Sequence, residues 1–281
     1  LGGDARARGY QGQVDTYRDA HEMAKAAEIA QAAYKEMPAD RGIQQMYAQQ
    51  LADTGKPDEG IAIVRSMLNG KDDRDVYVNL AQMNIRLRRW PDAEAALSKA
   101  ESMSLKQDDK LFIYFLRGNM ADRQKHYEVA EAEFRKVLAI DPNSTQALNY
   151  LGYMLADHNM KLPEAVTLLK KAVELDPQNG SYLDSLGWAY FRQGQYTQAE
   201  SYLQQASSRM PTEATIHDHL GQVYEKQGKL KQAVSQWERA VAEYARTPTA
   251  DLDPEDVAAA HKRLDSTRVR LAKVRDTKSA Q

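Results

Sequence analysis

The chain has no cysteine, which excludes disulfides, thiol nucleophiles and cysteine-based zinc sites. That absence suits a reducing cytosol and a bacterial periplasm alike. No run of apolar residues approaches the length of about 20 that a membrane-spanning helix needs, so no transmembrane segment is expected. An excess of one charge is missing as well. The 38 Lys and Arg against 40 Asp and Glu leave a net charge of −2, which gives a nucleic-acid partner no support from bulk electrostatics. No leader peptide is visible, but the chain opens on Leu1 rather than methionine and reads as a trimmed or processed piece of something longer.

The familiar marks of chemistry are also absent. His21-Glu22 begins like a zinc-protease motif, but Lys25 stands where the second histidine belongs. Gly9 and Gly12 lack both the third glycine and the preceding strand of a dinucleotide loop, and no glycine-rich loop ends in Lys-Ser or Lys-Thr. His217 and His219 are two apart on a helix, so their rings point about 200° away from one another. His217 is expected near a helix seam and His219 at the surface. The many carboxylates are not sorted into an apolar pair suited to acid–base work. Neither an enzyme, a metal site nor a cofactor is expected.

What the sequence does have is a period. Gly118, Gly152, Gly187 and Gly221 follow one another at 34, 35 and 34 residues. About 12 residues behind each glycine comes a small residue: Ala130, Ala165, Ala199, Ala233. Four further on stands a bulky one: Phe134, Leu169, Leu203, Trp237. Leu183, Leu186 and Tyr190 recur at helical spacing, as do Ala199, Leu203 and Ala206, so each set makes one apolar stripe. The glycine and alanine slots mark where two helices come too close for a larger side chain. Tyr190 and Leu203 are expected to fill the space that Gly187 and Ala199 leave.

The prolines test this segmentation independently. Pro38, Pro142, Pro177 and Pro211 fall where second helices must stop; Pro57, Pro91 and Pro163 fall in the first turn of second helices, which proline tolerates. Pro248 and Pro254 flank the last segment, and none of the nine prolines sits in a helix interior.

A helix–turn–helix unit of this length and spacing resembles the tetratricopeptide repeat. Six hairpins are expected, over 41–73, 74–110, 111–144, 145–179, 180–213 and 214–247. A degenerate repeat or single helix covers 1–40, where Gly9 and Gly12 put the first partner in doubt. Over 248–281 lies a capping helix and tail, opened by Asp253-Pro254-Glu255-Asp256 and carrying the stripe Val257, Ala260, Leu264, Leu271 and Val274. The basic residues Arg263, Arg268, Arg270, Lys273 and Arg275 on that helix are read as a solvated face. The fold class expected is all-α, a solenoid with one continuous stack and no linker.

The resemblance implies a right-handed superhelix whose concave groove is lined by the first helix of each pair. Groove residues in the family lie three before the glycine, one after it, and four to five after it. Those offsets give Phe115, Asn119 and Arg123, then Asn149, Tyr153 and Asp157, then Asp184, Trp188, Phe191 and Arg192, then Asp218, Gln222, Glu225 and Lys226. Tyr153, Trp188 and Phe191, with Asn149 and Asp184 beside them, suit a peptide that offers apolar side chains and a main chain to bond. Packing of Trp188 and Phe191 against the neighbouring repeat is the alternative. Members that grip a terminal carboxylate use lysine and arginine slots that here hold Phe115, Ser181 and Ser185, so that ligand class is disfavoured. A code-reading RNA repeat would need basic groove positions, and these are mixed or acidic.

The expected function is a non-catalytic scaffold that binds a protein or peptide segment in the groove. The alternative is an architectural subunit of a larger bacterial envelope or secretion assembly, self-associating through its terminal helices. The block Tyr182-Leu183-Asp184-Ser185-Leu186-Gly187-Trp188 looks like bacterial members, several of which work at the envelope, and leans the setting toward the extracytoplasmic side. One consequence needs only the spacing. Gly187→Val should push two helices apart and cost about 1–3 kcal/mol by overpacking, read as a lowered denaturation midpoint.

Overall fold

The computed structural model describes residues 3–20, 22–71, 73–247 and 252–279. The readings made above for His21 and Pro248 fall outside that set. Among the described residues fifteen α-helices account for the fold and no strand occurs. The chain divides into two compact units, the first reaching Met120 and the second holding Ala121–Thr247 with Leu252 onward.

The first unit begins with α1 (Gly3–Asp19) and α2 (Met23–Glu36), followed by α3 (Arg41–Asp53) and α4 (Pro57–Ser66). It continues with α5 (Arg74–Arg86), α6 (Trp90–Ser102) and α7 (Leu111–Arg123), whose last three residues count with the second unit. The helix that Gly9 and Gly12 put in doubt is present: α1 runs through both and packs on α2. Space around Gly9 and Gly12 is open, so no neighbour requires the missing side chains. Two apolar clusters hold the unit. One joins Val14 to Ala26, Ala30, Ala33 and Ile43; the other runs from Ala48 through Val64, Leu80 and Leu97 to Ile113.

The second unit contains α8 (Tyr127–Ile140), α9 (Thr145–Asp157), α10 (Leu162–Leu175) and α11 (Gly180–Arg192). After them come α12 (Tyr196–Arg209), α13 (Ala214–Lys226), α14 (Leu230–Tyr244) and α15 (Pro254–Ser279). Several helices start for a local reason. Asn179 accepts hydrogen bonds from the amides of Ser181 and Tyr182 at 3.1 and 3.4 Å to open α11, and Ser144 caps α9 through Ala147. Second helices α4, α6 and α10 use proline in the first turn instead, and Pro142, Pro177 and Pro211 follow the ends of α8, α10 and α12.

Close approach is seen at the glycine slots of three hairpins. A Cβ at Gly187 would meet Leu203 Cγ at 2.7 Å, and one at Gly152 would meet Leu169 Cγ at 2.6 Å. At Gly221 it would meet the Trp237 indole at 2.6 Å. The slot is exchanged in the hairpin α3–α4: glycine stands on the second helix at Gly60, and its Cβ would run into the carbonyl oxygen of Ala48 on the first.

Burial is lopsided. Ten of the thirteen residues of α11 are buried, against three of the fourteen in α12. A first helix packs on its own partner and also on neighbouring first helices; α11 touches α9, α10, α12 and α13. The last helix buries the stripe expected of it only at Ala260 and Leu264. Ala260, Leu264 and Thr267 of α15 are buried, and the helix packs on α14. Three of its arginines are also paired, Arg263 half-buried and Arg268 and Arg270 exposed, a pairing the reading of a solvated face did not include. Arg263 bonds Asp218 of α13 at 2.7 Å, Arg270 bonds Glu225 of α13, and Arg268 bonds Glu238 of α14 at 2.9 Å. The partners stand 30 to 45 residues earlier, beyond what a pattern within one helix can register. No described helix is long and apolar enough to cross a membrane.

Two glycines of the first unit should therefore behave oppositely. Gly9→Ala, at an open position inside α1, is expected to stabilise by about 0.5–1 kcal/mol. Gly60→Ala, facing a backbone carbonyl, is expected to destabilise by about 1–3 kcal/mol. Urea denaturation of both variants checks the sign, and equal shifts would contradict the packing described.

Candidate functional site

The second unit brings three first helices, α9, α11 and α13, side by side. At the N-terminal ends of these helices lies a cavity of about 510 Å³. Asn149 and Tyr153 of α9 line it, with Asp184, Ser181 and Ser185 of α11 and Thr215 and Ile216 of α13; Glu213 closes one side. Three of the groove residues expected from the sequence thus share one cavity: Asn149, Tyr153 and Asp184.

The others are placed differently. Trp188 is 5% exposed and wedged between helices rather than open. Its indole nitrogen donates to Asp157 Oδ1 at 2.9 Å, and its ring stacks on His219 with centroids 4.0 Å apart and on Phe191 at 4.8 Å. Phe191 is half-buried and also leans on Tyr196. Arg192 sits over the Trp188 ring and near Asp157. Packing, the alternative weighed for the two aromatic residues, accounts for their contacts. Phe115 and Asn119 belong to the first unit, where both are half-buried and Phe115 packs against the apolar cluster and beside Phe112.

The 214–247 hairpin supplies no open groove position at Asp218 or Glu225. Asp218 is buried and accepts from Trp237 Nε1 at 2.8 Å and from Arg263, while Glu225 receives Thr267 and Arg270. The chain's own α15 thus takes the two carboxylates that the offsets assigned to a ligand.

His219 corrects the sequence reading most plainly. It is 4% exposed rather than at the surface, and its Nδ1 lies 2.9 Å from Asp184 Oδ1. His217 is buried too, held between Gln236 and the Pro211 carbonyl. Both are buried because a first helix has two covered sides, one against α14 and one against α11. The residues that cover His219 come from 31 to 66 positions earlier: Trp188, Asp184 and Tyr153. Sequence reasoning also missed Glu213, Thr215 and Ile216, which the offsets do not reach.

The electrostatics are acidic. Burial, then the charges of Asp157, Asp184 and Asp256, push the Tyr153 hydroxyl well above its usual value. Burial, followed by Asp184, raises the Glu213 carboxyl, and burial with three neighbouring aspartates raises Asp256. For His219, burial favours the neutral ring, but the Asp184 carboxylate outweighs it and the ring's pKa goes up.

The tetratricopeptide repeat profile matches residues 114–180 and 185–251, and a second profile of the same description matches 168–201. A TPR repeat-containing protein of Pseudomonas aeruginosa is 39% identical over 101 residues, 36% of this chain and 17% of that one. Protein NPG1 of Arabidopsis thaliana is 31% identical over 47% of this chain and 19% of its own length. The chain thus spans about a fifth of the length of these curated relatives. Among solved structures, a tetratricopeptide repeat protein from Parabacteroides merdae superposes with a TM-score of 0.63 at 16% identity, covering 93% of this chain and 98% of that one. Yeast Tom70 gives 0.56 at 17% identity over 91% and 61%, and PilW, a type IV pilus biogenesis factor, gives 0.57 at 19% over 72% and 93%. At such identities the likeness is one of fold.

The Asp184–His219 pair sets a pH dependence. A ring whose folded pKa is raised contributes stability that is complete below the ordinary histidine value of about 6.5 and is lost as pH climbs through the folded value. Asp184→Asn should therefore cost about 1.5–3 kcal/mol near pH 5.5, and less as pH approaches 9. Denaturation of both proteins across that range checks it; a gap that widens with pH would contradict the pairing.

Proposed function

Because the chain belongs to the tetratricopeptide repeat family, through residues 114–251, we propose that it is a non-catalytic scaffold holding a protein segment against the first helices of its second unit. One observation carries this reading. The carboxamide oxygen of Asn149, on a residue 8% exposed that lines the cavity, has no hydrogen-bond partner among the described residues. A buried acceptor left unmatched costs about 1–3 kcal/mol, which a bound main-chain amide would recover.

In this reading Asn149, Tyr153 and Asp184 touch the segment, and Tyr153 offers the ring. Trp188 is a positioning residue, fixing Asp157 and His219 so that α9, α11 and α13 keep their spacing. Phe191 and Arg192 support Trp188. Phe115 and Asn119 carry the same offsets on α7 and would act as contacts of the first unit. The partner is a protein; neither a nucleic acid nor a cofactor enters this reading.

A second reading, self-association through the terminal helices, is favoured by Val269 and Val274 of α15, which are 55% and 43% exposed. Panning a random twelve-residue peptide library against the full chain tests the first. Binders are expected whose affinity falls about ten-fold or more on Tyr153→Ala with the fold intact by circular dichroism. Binders indifferent to that change, or none at all, would overturn the reading. Sedimentation at rising concentration tests the second, with any oligomer lost in the double variant Val269→Lys, Val274→Lys.

A further inference from the structure

The cavity on α9, α11 and α13 has a lopsided chemistry. None of its described lining residues is lysine or arginine, while two, Asp184 and Glu213, are carboxylates. Asp184 gives Oδ1 to His219 and brings a second oxygen. Asn149 adds its unmatched carboxamide oxygen from a position nine-tenths buried. These oxygens come from α9, from α11 and from the residue that precedes α13. Two carboxylates with no basic residue among the described lining favour a cation over an anion.

Three rings form part of the wall. Tyr150, Tyr153 and Tyr182 all border the cavity, and Tyr182 is fixed by donating its hydroxyl to Thr145 Oγ1 at 3.1 Å. A planar cation meets both halves of this lining: its N–H groups answer the oxygens, and its face lies on a ring. Guanidinium carries five donors in one plane and can reach acceptors on different helices together, whereas an ammonium is a compact point charge.

We propose that this cavity is the receptor for an arginine side chain of the bound segment, held between Glu213, Asp184 and Asn149. The inference rests on the scaffold reading above and adds to it the residue by which a partner is recognised. The approach would also be steered, because Asp157 and Asp256 lie close enough to act on Tyr153 along with Asp184.

The test uses the full chain and the peptides selected from the twelve-residue library. Arginine is expected to be fixed at one position among the binders. Replacing it by citrulline, which keeps the shape and removes the charge, should weaken binding about ten-fold or more. Glu213→Gln should weaken the arginine peptide similarly, and the citrulline peptide far less, so that the two changes are not additive. A melting curve on Glu213→Gln confirms that the isosteric change leaves the fold alone. Binders with no fixed basic residue, or equal losses for both peptides in Glu213→Gln, would overturn the arginine site while leaving the scaffold reading standing. Binders with lysine fixed instead would overturn the guanidinium choice. Failure to select any binder would overturn both.

Discussion

The structure depends on how closely two helices of a hairpin can approach. At Gly152, Gly187 and Gly221 the absent Cβ leaves room for Leu169, Leu203 and Trp237, whose side chains would otherwise stand 2.6–2.7 Å from it. The alanines opposite, Ala165, Ala199 and Ala233, are fully buried for the same reason. Neither helix of a pair could bury its stripe alone, and a pair held further apart would leave a void along its whole length. Gly60 shows that the constraint belongs to the contact and not to one helix. There the glycine has moved to the second helix and Ala48 has taken its place on the first.

Much of this architecture is legible in the sequence because its determinants are local. The glycine and alanine slots recur at a fixed interval, and the prolines mark helix ends independently of that interval. The all-helical class follows from those two signals. What the sequence does not disclose are contacts between elements that a period cannot relate. His219 reads as a surface residue on a helical wheel, yet its neighbours are Asp184, Trp188 and Tyr153 from earlier hairpins. Arg263, Arg268 and Arg270 of α15 read as merely solvated because their carboxylate partners stand on α13 and α14. Gly9 and Gly12 lower helix propensity without preventing α1, since packing on α2 outweighs it.

The candidate site divides along the same line. Offsets borrowed from the repeat family reach Asn149, Tyr153 and Asp184, which line one cavity. The same offsets mislead at Trp188, where a large ring fills the seam toward the next first helix. They stop short of Glu213, which lies before the first turn of α13 and has no fixed place in the repeat. A cavity made where three helices begin is a property of their juxtaposition, and no single repeat contains it.

The uneven burial of α11 and α12 has a consequence of its own. An outer helix needs little more than Ala199, Leu203 and Ala206 to stay in place, so most of its remaining positions can drift in sequence at little cost. The inner helix has almost no such latitude: a change on either of its covered sides disturbs a neighbour. Over evolutionary time the exterior of this stack can thus acquire new chemistry quickly, while its interior row alters only through paired substitutions in adjoining hairpins.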